Sequence, residues 1–274
     1  MSPLLVALFV AAGVCAFVWI ASLVTHDHSW VDRIWSVVPV VYVWIYAAAA
    51  GLSDIRLDLM GALVTIWGAR LSFNFARKGG YSGVEDYRWA ILRARMSGWQ
   101  FELFNFFFIV IWQNVILFLI ALPAFTAFQH RATPFGIWDV VVGVAFFACT
   151  IGETVADQQQ WNFHAGKRAE SAAGRKPNPQ FLQTGLWRFS RHPNFFFEQA
   201  QWWLLFFFGV VAANSLLQWT VAGAFLLTTL FIGSTNFTES ITRSKYPEYA
   251  AYQATTSAII PFPPRRKGKV PAVD

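Results

Sequence analysis

The segment "PLLVALFVAAGVCAFVWIASLV", residues 3–24, decides the fold class, because it carries no charged residue over its whole length. A helix of about 20 apolar residues is long enough to cross the hydrocarbon core of a bilayer. No basic region precedes the segment, and it is longer than the apolar part of a secretory signal peptide. We therefore interpret it as a membrane-spanning helix.

Six further apolar runs follow the first one, and each is long enough to span a bilayer. The predicted spans are residues 3–24, 34–50, 59–76, 101–128, 135–156, 195–213 and 216–233. The composition agrees, since 56% of the residues are hydrophobic and only 13% are charged, about half the charged share of soluble domains. We predict an all-α, polytopic integral membrane protein, a bundle of seven transmembrane helices that forms a single domain over residues 1–274.

The basic residues indicate the orientation of this bundle. Residues 77–99, residues 157–194 and the tail after Ser234 carry five, six and six of them, 17 of the chain's 21. Seven spans place all three stretches on one side, and the opposite side keeps only Arg56 and Arg131. The positive-inside rule then predicts an N-terminus outside and a C-terminus in the cytoplasm. The net charge of +6 is explained by this topology and by anionic lipid headgroups, so it indicates no nucleic-acid partner.

Polar side chains at membrane depth predict where a site lies, because they are costly in hydrocarbon and usually face a cavity or each other. Most of them fall toward the cytoplasmic ends of their spans, which predicts a polar cavity open to the cytoplasm above an apolar floor. Residues 165–180, "AGKRAESAAGRKPNPQ", are interpreted either as a flexible connector or as a loop over that cavity. The polar residues are Arg70, Asn74, Gln113, Asn114, Glu153, Asp157, Glu198, Gln199, Gln201, Asn236 and Glu239.

Two motifs carry a resemblance to a known family. "GLWRFSRHPNFFFEQAQWW", residues 185–203, and "YPEYAAYQATTSAIIPF", residues 246–262, resemble the C-terminal signature of membrane steroid 5α-reductases and of their bacterial relatives. "VADQQQWNF", "GRKP" and "WGARLSFNFARKGGYSGVEDYRW" extend the resemblance to about residues 32–262, with the reductase signature at about 153–262.

The resemblance implies an NADPH-dependent reductase that acts on a carbon–carbon double bond conjugated to a ketone, typically in a 3-oxo-Δ4 steroid. Lysine and arginine side chains can neutralise the cofactor's phosphates, amides and carboxylates suit nicotinamide and ribose, and tyrosines can stack on flat rings. No Rossmann fingerprint is present, so the dinucleotide is implied by the resemblance alone. The implied cofactor-binding residues are Arg77, Asp86, Tyr87, Arg88, Asp157, Arg175, Lys176, Arg191, His192, Asn194, Tyr246 and Tyr249.

The catalytic residues differ from the family's pattern. Hydride addition to an enone places negative charge on the ketone oxygen, which needs a hydrogen-bond or proton donor in a dry site. The family uses a glutamate on the second helix and a tyrosine on the third, whereas here the third span has Trp67 and the second has Tyr42 and Tyr46. The catalytic candidates are Trp67, Tyr46 and Glu198. We expect the proton to come from a tyrosine or from water. Trp67 and Gln113 are expected to contact the substrate. Glu198 is alternatively a brace for Asn194 or Arg191.

Other interpretations of the sequence remain open. Isoprenylcysteine and phospholipid methyltransferases, which use S-adenosylmethionine, also carry an Arg-His-Pro element before a late membrane helix. A transporter or lipid-binding protein is a third possibility, although its polar residues would line both leaflets. His26 and His28 lack a third ligand, so no metal is predicted. We expect a monomer with a lipophilic substrate, surrounded by membrane lipid, in a bacterial cell membrane with the cofactor site facing the cytoplasm.

Overall fold

The computed structural model describes residues 1–83 and 85–265, and within them it is helical, with no strand. Arg266, Lys267 and Lys269 of the basic tail lie outside the described residues. The helices are α1 Pro3–Thr25, α2 Trp30–Ile34, α3 Val38–Ala49, α4 Ile55–Arg77, α5 Tyr87–Arg93, α6 Gly98–Phe104, α7 Gln113–Ala121, α8 Pro123–Gln129, α9 Ile137–Ala172, α10 Pro193–Ala213, α11 Val221–Lys245 and α12 Tyr249–Thr255. A π-helical segment, Asn105–Trp112, joins α6 to α7, and a 3₁₀ turn, Gly185–Arg188, precedes α10.

The described residues contain seven helical segments that are long and apolar enough to cross a membrane, which confirms the predicted number. Which end of the bundle faces the cytoplasm stays a prediction. The segments are Pro3–Thr25, Trp30–Ala49, Ile55–Arg77, Gly98–Gln129, Ile137–Ala172, Pro193–Ala213 and Val221–Lys245.

Two of the predicted spans end too early. The fifth was expected at 135–156 but runs to Ala172, and the seventh was expected at 216–233 but runs from Val221 to Lys245. Hydropathy marks only the part of a helix that lies in lipid, whereas a helix can continue into water with polar side chains. The interpretation of residues 165–180 as a connector or loop is therefore wrong for Ala165 to Ala172, which are helical.

Two spans are interrupted, and a proline lies at each interruption. The second span is divided between α2 and α3, with Pro39 in the first turn of α3. The fourth is divided between α7 and α8, where Pro123 is the first residue of α8. Proline lacks a backbone N–H, so it is tolerated at the first turn of a helix and disrupts its interior.

The chain divides into two compact units. Unit 1 comprises residues 1–147 and 202–227, and unit 2 comprises residues 148–201 and the chain from Thr228 onward. Helices α9, α10 and α11 contribute residues to both units. The prediction that the chain forms a single domain stays a prediction.

Unit 1 is built around α3, which packs against α1, α4, α7 and α8. Two glycines allow close approaches within this unit. A Cβ atom on Gly68 would lie 2.4 Å from the carbonyl oxygen of Ser36, and one on Gly223 would lie 2.4 Å from the backbone of Leu119. Small residues let membrane helices pack backbone to backbone, where dispersion contacts replace the hydrophobic effect.

A buried ion pair joins the start of α4 to the start of α9. The guanidinium of Arg56 donates through Nε to Asp139 at 2.6 Å and through Nη2 to the second carboxylate oxygen at 2.9 Å. It also donates to the carbonyl oxygens of Thr133 and Pro134. The positive charge of Arg56 is thus neutralised inside the protein.

We predict that Gly68→Ala and Gly223→Ala each destabilise the protein by about 2 kcal/mol, because the added methyl group meets backbone that cannot move away cheaply. Gly166→Ala in α9 is the matched control, since a Cβ there meets nothing within 4 Å. Alanine is the better helix former, so the control should be stabilising by about 0.5–1 kcal/mol. Thermal unfolding in detergent measures all three, and equal stability of the Gly68 and Gly166 variants would contradict the packing.

Candidate active site

The reductase-like motif begins at a turn that is anchored on α9. The backbone N–H of Leu186 donates to the side-chain oxygen of Gln159 at 3.0 Å, and the indole of Trp187 donates to the carbonyl oxygen of Ala156 at 3.1 Å. Gly185 adopts a positive φ of 63°, and a Cβ there would lie 2.5 Å from the Gln159 amide. The positive φ favours glycine at this position, and a larger residue would also displace the Gln159 amide.

The chain after α12 folds back on this turn and is held by backbone hydrogen bonds. The N–H groups of Arg191 and His192 donate to the carbonyl oxygens of Ser257 and Ala258 at 2.9 and 3.0 Å. The hydroxyl of Ser190 donates to the carbonyl oxygen of Ile259 at 2.7 Å. We call residues 256–262 the C-terminal strap, because they bind the turn that precedes α10.

Glu239 of α11 is the centre of the polar contacts in unit 2. Arg191 donates to its two carboxylate oxygens in a fork, Nε at 2.6 Å and Nη2 at 2.9 Å. His192 Nε2, the hydroxyl of Tyr249 and the amide of Gln253 also lie within 3.2 Å of the carboxylate. Both members of the fork are nearly buried, with 10% and 7% of their side chains exposed. One carboxylate therefore joins the turn before α10, α11 and α12.

Arg191 also reaches the start of the strap. Its Nη1 donates to the backbone carbonyl oxygens of Gln253 and Thr256. Burial opposes the charged form of this guanidinium, but the hydrogen bond and charge of Glu239 outweigh burial and raise the pKa of Arg191. The contacts within unit 2 therefore use most of the donors of Arg191, which the resemblance assigned to cofactor phosphate.

Arg191 pairs with a carboxylate other than Glu198, and the alternative that Glu198 braces Asn194 stays a prediction. The carboxylate partner of Arg191 is Glu239, and the side-chain oxygen of Asn194 is buried without a hydrogen-bond partner. Position along α10 explains the difference, because Arg191 precedes the helix and its fork points to α11. A buried, unpartnered amide oxygen in the first turn of a helix is a candidate ligand contact, since such groups are costly to leave unsatisfied.

The other cofactor candidates of unit 2 differ in exposure. Asp157 and Tyr249 are buried, whereas Arg175 and Lys176 are exposed on the segment after α9. The Tyr246 hydroxyl accepts a hydrogen bond from Lys167 at 3.0 Å. Their roles toward a cofactor stay predictions.

A polar cavity of about 550 Å³ opens beside Glu239, a volume within the usual range of about 300–1,000 Å³ for ligand pockets. Sequence reasoning singled out two of its lining residues as polar groups at membrane depth but proposed none of them as a site. Their spacing along α11 was the available signal, since positions four and seven or eight apart share a helix face. The lining residues are Asn236, Glu239, Ser240, Arg243, Ser244 and Gln253.

Unit 1 holds buried polar atoms that have no partner among the described residues. The indole nitrogens of Trp67 and Trp202 and the hydroxyls of Tyr42 and Tyr46 are four of them. All four side chains are at most 1% exposed. The two indole rings contact each other edge to face, with centroids 4.7 Å apart.

Tyr42 of α3 and Trp67 of α4 lie at similar positions along their helices. Two hydrogen bonds join these parts of the chain, one between Ser36, two residues before α3, and Ser72 at 2.7 Å, and one from Trp44 to Thr65 at 2.9 Å. Tyr42 and Trp67 lie between these bonds along their helices. Gln113, predicted as a substrate contact, is also buried in unit 1, at the start of α7, which packs against α3.

The remaining predicted cofactor residues of unit 1 have neighbouring partners. Asp86 caps α5 and pairs with Arg88, whose Nη2 lies 2.7 Å from the carboxylate. Burial disfavours the charge of Arg88, but the bond to Asp86 outweighs burial and raises the pKa of Arg88. Arg77 donates to the side-chain oxygen of Asn74 at 2.8 Å, and Tyr87 is exposed.

We predict that Glu239→Gln destabilises the protein by about 3–5 kcal/mol, because it leaves the guanidinium of Arg191 nearly buried without its counter-charge. Glu248→Gln is the matched control, since it removes the same charge from an exposed position three residues beyond α11. Chemical unfolding in mixed micelles measures both variants. If Glu239→Gln lowers the free energy of unfolding by no more than the control does, the fork does not hold unit 2 together.

Comparisons with known proteins extend over most of the chain. A family model described as "Protein of unknown function (DUF1295)" matches residues 18–256. The "Uncharacterized protein C594.04c" of Schizosaccharomyces pombe (strain 972 / ATCC 24843) is 36% identical over 278 residues, which cover 95% of this chain and 80% of the relative. No solved structure matches the chain. The chain therefore belongs to the DUF1295 family, which is related to steroid 5α-reductase-like enzymes.

Proposed function

We propose that the protein is an NADPH-dependent reductase of a carbon–carbon double bond conjugated to a ketone, in a flat lipophilic molecule such as a 3-oxo-Δ4 steroid. The observation that carries the proposal is the set of unpartnered donors in unit 1. The indole nitrogens of Trp67 and Trp202 and the hydroxyls of Tyr42 and Tyr46 are buried with no acceptor among the described residues.

Such donors are unusual in an apolar interior. An indole N–H can only donate, and leaving a buried donor unsatisfied costs about 1–3 kcal/mol. A ligand that brings an acceptor oxygen into this region would satisfy one or two of them. A ketone on an otherwise apolar skeleton has that character, since its oxygen accepts two hydrogen bonds and the rest of the molecule suits an apolar pocket.

The same donors suit the chemistry of enone reduction. When hydride adds to the β-carbon, negative charge develops on the ketone oxygen. A preorganised N–H or O–H in a dry site stabilises that charge far more than the neutral ketone. Trp67 can stabilise the oxyanion but cannot deliver a proton, whereas Tyr42 or Tyr46 can do both. This division of roles replaces the glutamate and tyrosine of the resembled family.

The residues of unit 2 fit a nicotinamide dinucleotide. The buried, unpartnered amide oxygen of Asn194 can accept a hydrogen bond from the nicotinamide carboxamide. Arg243 in the polar cavity and the exposed Arg175 and Lys176 can neutralise phosphates. When bound, the cofactor supplies the hydride, and the protein's part is to hold it and to exclude water. S-adenosylmethionine, the cofactor of the alternative methyltransferase, carries no phosphate for these cations to bind.

Purified protein in nanodiscs tests the proposal. We expect NADPH to raise the melting temperature and a 3-oxo-Δ4 steroid to cause saturable loss of NADPH absorbance. Trp67→Phe and Trp202→Phe should each lower kcat, by about 100-fold for the indole that contacts the oxyanion. Trp138→Phe is the control, because this tryptophan is 66% exposed and should leave kcat unchanged.

Comparison of Tyr42→Phe with Tyr46→Phe identifies the proton donor as the variant with the larger loss. Stabilisation by S-adenosylmethionine and not by NADPH would instead support the methyltransferase. Turnover by Trp67→Phe and Trp202→Phe equal to that of the wild type would contradict the role given to the indoles.

A further inference from the structure

Two lysines of unit 2 converge on one tyrosine at the end of α11. Lys167 Nζ donates to the hydroxyl of Tyr246 at 3.0 Å and lies 4.8 Å from its ring centroid. Lys245 Nζ lies 5.3 Å from the same centroid. Lys167 also donates to the backbone carbonyl oxygen of Gln180 at 2.7 Å. These contacts hold two positive charges near one neutral side chain.

Neither charge is compensated by a carboxylate. Across residues 1–83 and 85–265, no Asp or Glu lies within ion-pair distance of Lys167 or Lys245, whereas Arg33, Arg56, Arg88, Arg93 and Arg191 each have a carboxylate partner. The ammonium groups of Lys167 and Lys245 lie near the same tyrosine ring and repel each other. An anion bound between them would offset that repulsion, because it attracts both. The ammonium of Lys167 has three N–H donors, of which the described contacts use two.

The position of this cluster along the helices favours a soluble ligand over a lipid headgroup. Lys167 lies about 16 Å beyond Ala156, the predicted end of the fifth apolar span, at 1.5 Å per residue along the continuous helix α9. Lys245 lies about 18 Å beyond Gly233 along α11. The headgroup zone on each side of a bilayer is only about 5–8 Å thick, so the predicted span ends place both lysines beyond it.

The cluster is adjacent in sequence to two residues that line the polar cavity. Lys245 and Tyr246 directly follow Ser244, which lines that cavity together with Arg243. The hydroxyl of Ser244 donates to the carbonyl oxygen of Ile241 at 2.8 Å, so its oxygen presents only lone pairs to the cavity. A ligand with hydroxyl groups suits this part of the cavity, and Lys245 is the next residue along the chain.

We propose that Lys167, Lys245 and the Tyr246 hydroxyl form a subsite for the phosphate dianion of a soluble ligand. Resting on the proposed function, this dianion is the phosphomonoester that distinguishes NADPH from NADH. A phosphomonoester carries a charge between about −1.5 and −2 at neutral pH, which matches two ammonium groups. The phenol completes the subsite as a neutral donor whose proton can turn from solvent to a phosphate oxygen.

The phenol of Tyr246 reports on the subsite independently of any enzyme activity. The hydrogen bond from Lys167 lowers the pKa of Tyr246 below its usual range, with partial burial opposing it. A bound dianion favours the protonated phenol, so it should raise that pKa. The measurement is a titration of phenolate absorbance, as the difference between the wild type and Tyr246→Phe, with inorganic phosphate or with chloride at matched ionic strength.

We expect phosphate, and not chloride, to raise the pKa of Tyr246. Lys167→Gln should abolish the phosphate effect, whereas Arg168→Gln, which removes one charge from the next residue of α9, should retain it. Equal titration in phosphate and chloride would overturn the subsite. If the pKa of Tyr246 rises in nanodiscs that contain phosphatidic acid, without added phosphate, the anion is a lipid headgroup. That result would overturn the assignment to a soluble ligand.

The dinucleotide assignment has a separate readout. In the Lys167→Gln/Lys245→Gln variant we expect at least 10-fold weaker NADPH binding by calorimetry and unchanged NADH binding. Equal weakening of both, or no weakening of either, would overturn the phosphomonoester assignment while leaving NADPH-dependent reduction intact. If the wild type binds neither dinucleotide, the proposed function fails, and the phenol titration still decides whether a phosphate subsite exists.

Discussion

A buried polar group must find its partner inside the protein, because neither lipid nor an apolar interior offers one, and this constraint organises the whole chain. In unit 2 the constraint is met by the fork between Arg191 and Glu239. The carboxylate accepts from the turn before α10 and from α12, so charge neutralisation and chain folding are achieved by the same contacts. The motif that resembles the reductases therefore has a structural role in addition to any contact with a cofactor.

Unit 1 meets the same constraint in two ways. At one end the buried Arg56 has Asp139 and two backbone carbonyl oxygens as acceptors. Deeper in the unit, Trp67 and Trp202 have no acceptor among the described residues. The two places differ in that the guanidinium has all its acceptors within the protein, whereas the single donors are unsatisfied where, under the proposed function, a ligand would bind. The cost of the unsatisfied donors is returned when an acceptor oxygen arrives.

Hydropathy and charge were sufficient to predict the seven spans, because each apolar run is within the range of lengths that a bilayer requires. They could not predict where α9 and α11 end, since a helix in water needs no apolar run. The pairing of Glu239 with Arg191 could not be predicted from the sequence, because the two residues are far apart in the chain and only the fold brings them together. Trp67 was identified by resemblance, but nothing in the sequence shows that its indole nitrogen is buried without an acceptor. Glu198 was assigned to Asn194 or Arg191 by proximity along the chain, and the fold paired Arg191 with α11 instead.

The proposed function requires that the buried indole N–H groups of unit 1 have no acceptor until the substrate supplies one. Nuclear magnetic resonance of protein labelled with ¹⁵N at the tryptophan indoles measures this directly, with Trp67→Phe and Trp202→Phe assigning the two signals. We predict that at least one of the two indole signals has the chemical shift of a weakly hydrogen-bonded N–H without ligand and moves downfield when a flat enone is added. An unchanged spectrum with saturating enone, or N–H groups already strongly hydrogen-bonded in its absence, would contradict it.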